Sequence, residues 1–215
     1  RFRTGEPYIN YVDEANRRMH PALVDRGLKI HGSNLCNEIH LPTSDDRSAV
    51  CCLSSVNLAK FDEWRKDDFF IGDLIEMLDN VLQFFIDNAP SALERARYSA
   101  ERERSLGLGA MGFHDYLMDH NIPFESGMAI SMNKNMFRTI KKLAVERSER
   151  LAELRGEAPD AVGYGIRNTH LLAVAPTRTN SVISGAFSQG IEPIDANYFV
   201  AKQAKGTFIR KNPVL

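Results

Sequence analysis

The strongest constraint on the fold of this chain is an apolar pattern of helical period between residues 67 and 88. The apolar residues recur there at spacings of three and four: Phe70, Leu74, Met77, Leu78, Val81, Leu82 and Phe85. Such spacing is typical of an amphipathic helix that packs one face on a core. Two further helices are predicted over residues 91–104 and 126–155, the second ended by Gly156 and Pro159.

Short apolar segments lie between these helices and are predicted to form strands. They cover residues 27–30, 38–41, 105–110 and 170–175. Short strands that alternate with helices are typical of βαβ units, in which helices cover a parallel sheet or barrel. The chain has 215 residues, 43% of them hydrophobic, which suffices for a sizeable core. The sequence therefore predicts an α/β fold and a single domain over residues 1–215.

Charge and composition argue against several classes of function. The formal net charge is −1, so no basic surface is expected that would bind the backbone of duplex nucleic acid. Polar residues interrupt the longest apolar stretches, and neither a membrane span nor a signal peptide is predicted.

The three cysteines, an odd number, suit free thiols in the cytoplasm better than a disulfide framework. The six histidines show no metal-ligand spacing, so no metal site is predicted.

The segment from Gly107 to Gly112 reads G-L-G-A-M-G and matches the glycine fingerprint of dinucleotide-binding folds. That fingerprint requires a hydrophobic strand before it and an acidic residue about twenty positions later. Here a charged helix end precedes the glycines, and no strand that ends in Asp or Glu follows at that distance. We therefore expect the glycines to form a tightly packed strand rather than a nucleotide site.

Polar side chains alternate around the first thiol, where Asn34, Cys36 and Glu38 occupy every second position. In an extended segment these side chains would point to one face, because the side-chain period of a strand is two. An amide, a thiol and a carboxylate on one face indicate either a reactive site or a solvent-facing loop with an incidental cysteine. Cys51 and Cys52 follow in a short apolar run, which either brings a second thiol beside the first or forms a buried strand.

Residues 176–185 read P-T-R-T-N-S-V-I-S-G and follow directly on the last predicted strand. Hydroxyls at Thr177, Thr179, Ser181 and Ser184 before a glycine are typical of a strand-to-helix turn, whose donors and free amides can hold an anion. A phosphate is the natural ligand of such a turn, although Ser/Thr-rich turns also serve as ordinary helix N-caps.

Together these segments resemble the catalytic large subunit of the ribonucleotide reductases. The resemblance rests on blocks in the family's order at residues 33–39 (SNLCNEI), 49–58 (AVCCLSSVNL), 104–109 (RSLGLG) and 176–185, followed by GIEP at 190–193. The segment TGEPYI at 4–9 is also consistent. The resemblance implies part of the family's ten-stranded α/β barrel, with Cys36 on a finger loop that threads the barrel interior. It covers only the middle of a family catalytic subunit.

The resemblance implies a role for each matching residue of the thiol segments. Cys36 aligns with the cysteine that carries a transient thiyl radical and abstracts the ribose 3′ hydrogen. Glu38 aligns with the general base on the 3′ hydroxyl, and Asn34 with the amide that hydrogen-bonds the substrate hydroxyls. Cys51 aligns with one of two cysteines that supply reducing equivalents as the 2′ hydroxyl leaves as water. Cys52 stands where the family usually has another residue type and receives no role.

The resemblance also assigns substrate-phosphate binding to residues 177–181. The hydroxyls of Thr177, Thr179 and Ser181, with nearby backbone amides, match the family's phosphate loop. Arg178 and Asn180 occupy its variable positions and resemble the class whose radical comes from a metal-containing small subunit, rather than from adenosylcobalamin. Whether the substrate is a diphosphate or a triphosphate stays open.

The implied activity is that of a ribonucleoside-diphosphate reductase, which makes deoxyribonucleotides for DNA replication. No cofactor is expected in this chain. The implied partners are the ribonucleotide substrate, the small subunit, thioredoxin or glutaredoxin as reductant, and a second copy of the full subunit. The second reducing cysteine is expected before residue 1, and the radical-transfer tyrosines and a cysteine tail after residue 215. The chain is therefore expected to be a fragment or one polypeptide of a split subunit, inactive without its complementary segments.

Two other functions stay open. One is a non-catalytic nucleotide-binding or assembly fragment that keeps the fold without the chemistry. The other is an unrelated thiol enzyme of the glycyl-radical kind, which shares a barrel and a cysteine loop, although no glycyl-radical segment is visible in this sequence.

Overall fold

The computed structural model describes residues 2–203 and 206–212. Within them the helices are α1 (Val12–Arg17), α2 (Pro21–Asp25), α3 (Phe61–Trp64), α4 (Phe70–Asn88), α5 (Glu94–Glu103), α6 (Phe113–Asp119), α7 (Gly127–Arg155) and α8 (Asn180–Ile183). The strands are β1 (Cys52–Asn57), β2 (Leu106–Met111), β3 (Tyr198–Gln203) and β4 (Gly206–Lys211). Short 3-10 helices cover Leu58–Lys60, Ser91–Leu93 and Pro159–Ala161.

The chain divides into two compact units. The first contains the residues up to Ser54, together with Asp68–Leu108 and Ile140–Ala173. The second contains Ser55–Asp67, Gly109–Thr139 and the residues from Val174 onwards. Over the described residues, every helix is too short or too polar to cross a membrane.

The three predicted helices are present. Helices α4 and α7 occupy the predicted segments 67–88 and 126–155, and a 3-10 turn followed by α5 occupies 91–104. Helix α7 ends at Arg155, and the next residue, Gly156, has a φ of 89°. This left-handed conformation favours glycine, which explains the stop. The periodicity of α7 predicts a buried apolar stripe, and four of its residues are buried: Met136, Ile140, Ala144 and Leu151. Met132 and Leu143, which belong to the same stripe, are half-buried.

The buried face of α4 differs from the predicted one. Met77 and Val81, both assigned to the core-facing stripe, are 44% and 49% exposed. The buried apolar residues are Ile71, Ile75, Leu78, Leu82 and Ile86. Apolar residues occur on more than one side of this helix, so helical spacing alone does not identify the side that contacts the core. The buried face also carries a charged residue, Asp79.

Asp79 is the centre of a buried charge cluster in the first unit. Its carboxylate accepts hydrogen bonds from Arg104 Nη2 at 2.9 Å, from Arg167 Nε at 2.9 Å and from Asn168 Nδ2 at 3.1 Å. Burial opposes the charge of Asp79, but Arg104 and Arg167 outweigh it and hold the pKa of this carboxyl below its usual value. The cluster joins α4 to the end of α5 and to the segment before the last predicted strand.

The predicted strands are confirmed only in part. Strand β2 occupies the predicted segment 105–110 and pairs with β1, and Leu108 forms a parallel bridge with Leu172 in segment 170–175. The predictions of strands at 27–30 and 38–41 are wrong. At the first segment, the Asn16 side chain accepts a hydrogen bond from Ile30 N at 2.9 Å and donates one to Ile30 O at 2.8 Å. This side-chain amide takes the place of a neighbouring strand.

The second unit contains a hairpin that the sequence pattern did not predict. Strands β3 and β4 pair antiparallel, with Tyr198 opposite Lys211. The Arg210 guanidinium lies 5.0 Å from the ring centre of Phe187 and 5.9 Å from that of Phe199. Cation–π contact of this kind stabilises the hairpin against the segment around Phe187.

Candidate functional site

The polar residues around the first thiol lie on a tight turn rather than on an extended segment. Asn37 N donates to Asn34 O at 3.2 Å, and Asn34 N donates to Ile39 O at 3.2 Å. Asn34 Oδ1 also accepts from Ile39 N at 3.0 Å, and Asn37 has a φ of 67°. Asparagine tolerates this left-handed conformation and can mimic a backbone turn with its side chain. The extended geometry that would point Asn34, Cys36 and Glu38 to one face is therefore not formed, and the segment is a loop.

Side-chain hydrogen bonds hold the base of this turn. Ser33 Oγ donates to Asn37 Oδ1 at 2.7 Å and accepts from Asn10 Nδ2 at 3.2 Å. The ring nitrogen Nε2 of His40 lies 3.3 Å from Asn10 Oδ1. Cys36 lies at the tip of the turn, exposed and without a disulfide. The turn therefore holds a thiol in a defined position where a reactant can reach it.

Glu38 follows the turn and is half-buried. Its Oε2 atom is buried and has no hydrogen-bond partner among the residues that the structure describes. A buried polar atom without a partner costs about 1–3 kcal/mol, so the surroundings favour a ligand that donates to it. A substrate hydroxyl is such a donor, and accepting its proton is what a general base does.

The second thiol, Cys51, is half-buried beside the apolar cluster of Ile39, Leu41 and Ala173. Burial raises the pKa of the Cys51 thiol to about 12, and nearby acidic groups, Glu38 among them, act in the same direction. The thiol is therefore protonated at neutral pH. A protonated thiol supplies hydrogen rather than acting as a nucleophile, which suits a reducing group.

Cys52 has different surroundings from its neighbour Cys51. Burial raises the pKa of the Cys52 thiol, Arg104 counteracts the rise, and Asp79 adds to it. Its electrostatic environment is therefore the buried charge cluster around Asp79, whereas that of Cys51 includes Glu38. The two adjacent thiols are thus chemically distinct.

Two of the three fingerprint glycines, Gly107 and Gly109, lie in the tightly packed strand β2 as predicted, whereas Gly112 follows the strand and directly precedes α6. Every residue of β2 is buried. A Cβ atom at Gly107 would overlap Leu53 Cδ2 and would lie 2.9 Å from Cys51 Sγ and 3.0 Å from Ala173 Cβ. The absence of a side chain at Gly107 therefore lets β2 approach the Cys51 thiol closely.

The predicted phosphate-binding residues form a compact loop in the second unit. Thr177 Oγ1 accepts a hydrogen bond from Gly190 N at 3.0 Å, which closes the loop at its base. Thr177 O accepts from Ser181 N at 2.8 Å, and Ser181 Oγ contacts Arg178 O at 3.5 Å. Thr177 is 4% exposed and Ser181 is fully buried, so their hydroxyls shape the interior of the loop.

The three residues between these buried hydroxyls are exposed: Arg178, Thr179 and Asn180. A ligand can reach their guanidinium, hydroxyl and amide groups, and also the exposed hydroxyl of Ser184 further along the loop. The structure therefore divides the predicted set into residues 177 and 181, which support the loop, and residues 178–180, which present donors to solvent.

Two buried carboxylates near these segments were not predicted. Asp115 is 5% exposed and binds backbone amides at residues 187 and 188. Glu103 is 1% exposed and accepts a hydrogen bond from Ser99 Oγ at 2.5 Å. The position of an acidic residue inside the apolar segment 113–117 could have identified Asp115 as a buried carboxylate. Glu103 lies in a run of charged residues, which looks like a solvated helix face.

Two histidines contact groups from distant parts of the sequence. His170 Nδ1 lies 2.9 Å from Leu106 O, and His120 Nε2 lies 3.1 Å from Asp62 Oδ2. Over the described residues, no three side chains of the types His, Cys, Asp or Glu group together as a set of metal ligands.

Comparisons with known proteins agree on one family. The family model described as "Ribonucleotide reductase, barrel domain" matches residues 1–161 and 158–215. A Frog virus 3 (isolate Goorha) protein that bears the name of a ribonucleoside-diphosphate reductase large subunit is 54% identical over 218 residues, which are 100% of this chain and 38% of that protein. The ribonucleoside-diphosphate reductase large subunit of Invertebrate iridescent virus 3 is 46% identical over 212 residues, 99% of this chain and 34% of that protein.

A solved structure also matches this chain. It is the Actinobacillus ureae class Id ribonucleotide reductase alpha subunit, with a TM-score of 0.90 and 40% sequence identity. The match covers 99% of this chain and 39% of that chain. The chain thus spans less than two fifths of the length of these relatives, between 34% and 39%.

Proposed function

Because the chain belongs to the ribonucleotide reductase family through its barrel domain, we propose that the protein it forms part of reduces ribonucleotides to 2′-deoxyribonucleotides by thiyl-radical chemistry. One observation supports this most. The exposed thiol of Cys36 lies on a turn held by side-chain hydrogen bonds, and two residues later Glu38 has a buried Oε2 with no hydrogen-bond partner among the described residues. The names of the relatives favour a ribonucleoside diphosphate as substrate.

In the first half of the proposed reaction, a Cys36 thiyl radical takes the hydrogen atom from C3′ of the ribose. The C3′–H bond breaks, an S–H bond forms, and the unpaired electron moves to C3′. Glu38 accepts the proton of the 3′ hydroxyl, because a carbon radical beside an alkoxide expels its neighbouring group far more easily. Asn34 hydrogen-bonds the substrate hydroxyls in this proposal.

In the second half, the 2′ hydroxyl leaves as water with a proton from a thiol. Cys51 and a second cysteine outside this chain together supply two electrons and two protons, and their sulfurs join in a disulfide. The high pKa of Cys51 suits this step, since the thiol keeps its proton at neutral pH until that proton is transferred to the leaving 2′ hydroxyl. Cys36 then returns a hydrogen atom to C3′, which regenerates the thiyl radical for the next cycle.

The loop of residues 177–190 binds the substrate phosphates in this proposal. Its exposed donors, Arg178, Thr179 and Asn180, suit an anion, and its buried hydroxyls at Thr177 and Ser181 fix the backbone that presents them. Anchoring the phosphates would hold the sugar at a reacting distance of about 3–3.5 Å, where orientation removes much of the barrier.

The family also suggests the partners and the architecture of the whole enzyme. We propose that a metal-containing small subunit supplies the oxidising equivalent, that thioredoxin or glutaredoxin reduces the disulfide, and that the full subunit forms a homodimer in the cytoplasm. We further propose that residues 1–215 are one part of a single ten-stranded barrel, with the Cys36 turn as its interior finger loop. The 0.90 TM-score to a class Id alpha subunit supports the barrel and the small-subunit class.

Substitution of the thiols in the complete large subunit tests the reaction. Cys36→Ser should abolish deoxynucleotide formation, because an alcohol O–H bond is too strong to carry the radical. Cys51→Ser should stop turnover with the natural reductant. Cys52→Ser is the matched control, since Cys52 has no role in the reaction and should retain most of the activity. Full activity in the Cys36→Ser subunit would refute the proposal.

A second function in this proposal is nucleotide binding or assembly without the reaction. The exposed donors of residues 178–180 suit a nucleotide phosphate whether or not the thiol chemistry takes place. Turnover of this chain measured with and without the complementary segments of a large subunit distinguishes the two functions. Activity that appears only on complementation supports the reductase, and nucleotide binding without activity in either case supports the binding function.

A further inference from the structure

The loop of residues 177–190 is held by polar side chains that do not belong to it. Its base is closed internally by Thr177 and Gly190. The second half of the loop, from Ser184 to Ser188, is bound from outside by a residue of α6 and by a residue at the end of β1. Both residues belong to the second unit, as does the whole loop.

The residue of α6 is Asp115, whose carboxylate is buried against backbone amides. Phe187 N donates to Asp115 Oδ2 at 2.7 Å, and Ser188 N donates to both carboxylate oxygens at 3.1 Å. In the opposite direction, Asp115 N donates to Ser188 Oγ at 3.3 Å. Hydrogen bonds to a charged acceptor are stronger than neutral ones, so the hydrogen bonds to Asp115 are the strongest attachment of the loop.

The residue at the end of β1 is Asn57. Its Nδ2 donates to Ser184 O at 3.1 Å, while its Oδ1 accepts from Ala59 N at 3.0 Å and so caps the short helix that follows. A Cβ atom at Gly112 would lie 2.6 Å from Asn57 Oδ1, so only glycine leaves room for the Asn57 side chain. Gly112 N also donates to Ser188 O at 3.1 Å.

These contacts leave the outer part of the loop free for a ligand. The amides of Phe187, Ser188 and Gly190 are already used by Asp115 and Thr177, so they are structural donors. Residues 178–180 and 182–185 remain exposed between the anchored ends. The position of the exposed donors therefore depends on the attachment of the loop at both ends.

We propose that Asp115 and Asn57 are positioning residues that hold the 177–190 loop in the shape that receives the substrate phosphates. The inference rests on the proposed role of this loop in phosphate binding. Neither residue touches the substrate in this proposal. Each acts through the loop backbone, so its loss should weaken substrate binding more than the chemical step.

The test is made in the complete large subunit with CDP as the probe. In Asp115→Asn, one amide oxygen remains to accept from Phe187 N and Ser188 N, but the charge is lost and an NH2 group faces a donor. Loss of a charge-assisted hydrogen bond of this kind corresponds to about a tenfold to 100-fold rise in KM for CDP. The kcat at saturating CDP should stay within about threefold, because the reacting groups are intact. Asp115→Ala should raise KM further.

Asn57→Asp is an independent variant in case substitutions at Asp115 prevent folding. Aspartate keeps the oxygen that accepts from Ala59 N but replaces the donor to Ser184 O by a second acceptor. It should raise KM for CDP in the same way. Asp79→Asn is the matched control, because Asp79 is an equally buried carboxylate in the other unit. It should lower stability and leave KM unchanged.

Hydrogen exchange of the loop separates failure of the inference from failure of the proposed function. In the wild-type subunit, CDP and inorganic pyrophosphate should slow the exchange of amides within residues 177–190. Absence of any such protection would refute phosphate binding by the loop, and the inference with it. If the wild type shows protection but KM is unchanged in both Asp115→Asn and Asn57→Asp, the positioning role is overturned and phosphate binding by the loop stands. A rise in KM for all three variants, Asp79→Asn included, would also overturn it.

Discussion

Replacement of Glu103 by glutamine should stabilise the folded chain at alkaline pH and have almost no effect at acid pH. Glu103 ends α5 and is 1% exposed. Ser99 Oγ and Ser105 Oγ donate to its two oxygens at 2.5 Å and 3.2 Å. Its only ion pair among the described residues is with Arg47 Nη1 at 3.7 Å, and Arg47 is also bound to Asp160 at 2.7 Å. The cost of burying the charge therefore outweighs the contacts with Ser99, Ser105 and Arg47, and it raises the pKa of Glu103 to about 7.

The size and sign of the effect follow from proton linkage. The folded state binds a proton at Glu103 more tightly than the unfolded state, in which the pKa is near the ordinary value of 4.5. Stability from this group is complete below pH 4.5 and is lost as the pH rises through about 7. At 1.36 kcal/mol per pH unit, the loss amounts to about 3 kcal/mol. Glutamine resembles the protonated acid, so Glu103→Gln avoids this loss.

Urea unfolding of the 215-residue chain between pH 5 and 8.5 measures the effect. The difference in unfolding free energy between Glu103→Gln and the wild type should rise from just under about 1 kcal/mol at pH 5 to about 3 kcal/mol at pH 8. Other groups titrate equally in both proteins and cancel in the difference. A difference that does not change with pH would show that Glu103 does not titrate in this range. A difference that falls with pH would refute the argument that burial dominates.

Three further predictions concern the first unit. Gly107→Ala should destabilise the chain by about 1–3 kcal/mol in urea unfolding, because the new methyl group overlaps Leu53 Cδ2 and presses on Cys51 Sγ. Iodoacetamide at pH 7.5, followed by peptide mass spectrometry, should label the exposed Cys36 long before Cys51, whose pKa is about 12. Asn37→Val should cost about 1–2 kcal/mol in the same unfolding assay, because its φ of 67° is unfavourable for a branched side chain.

The two substitution predictions each have a matched control. Gly127→Ala should be neutral or slightly stabilising, because no other described residue has an atom within 4 Å of its Cβ position. Asn37→Gly should cost less than Asn37→Val, since both lose the hydrogen bond from Ser33 Oγ but only glycine adopts positive φ at little cost. Equal destabilisation by the alanine substitutions at Gly107 and Gly127 would contradict the packing argument. Labelling of Cys51 before Cys36 would contradict the assigned thiol environments.

The regular elements with strong local signals were predictable from the sequence. Helical spacing located α4 and α7, and Gly156 marked the end of α7, because these signals lie within one or two turns of chain. The prediction of α5 rested on Ser91 as an N-cap after Pro90 and on the alternation of Glu and Arg. The glycines of β2 were assigned to a packed strand from the absence of the flanking residues that a nucleotide fold needs. The ordered sequence blocks indicated the family, since each block keeps its residue types and spacing whatever the surrounding structure.

Contacts between distant segments decided the rest. The buried side of α4 is the side that carries Asp79, because Arg104 and Arg167 meet it there from distant parts of the chain. The side chains of Asn16 and Asn34 replace the strand partners that the pattern at 27–30 and 38–41 suggested. No local pattern shows that a side-chain amide will satisfy a backbone group, so these segments were predicted as strands.

The sequence by itself determined which chemical groups this protein has and the order in which they occur: one thiol beside a carboxylate, a second thiol, and a hydroxyl-rich loop. Only the tertiary structure decided their state. Cys36 is exposed on a turn held by side-chain hydrogen bonds. Burial raises the pKa of Cys51, so its thiol stays protonated at neutral pH. The physical reason is that solvation and charge at a group depend on what packs around it. Those neighbours come from segments far apart in the chain.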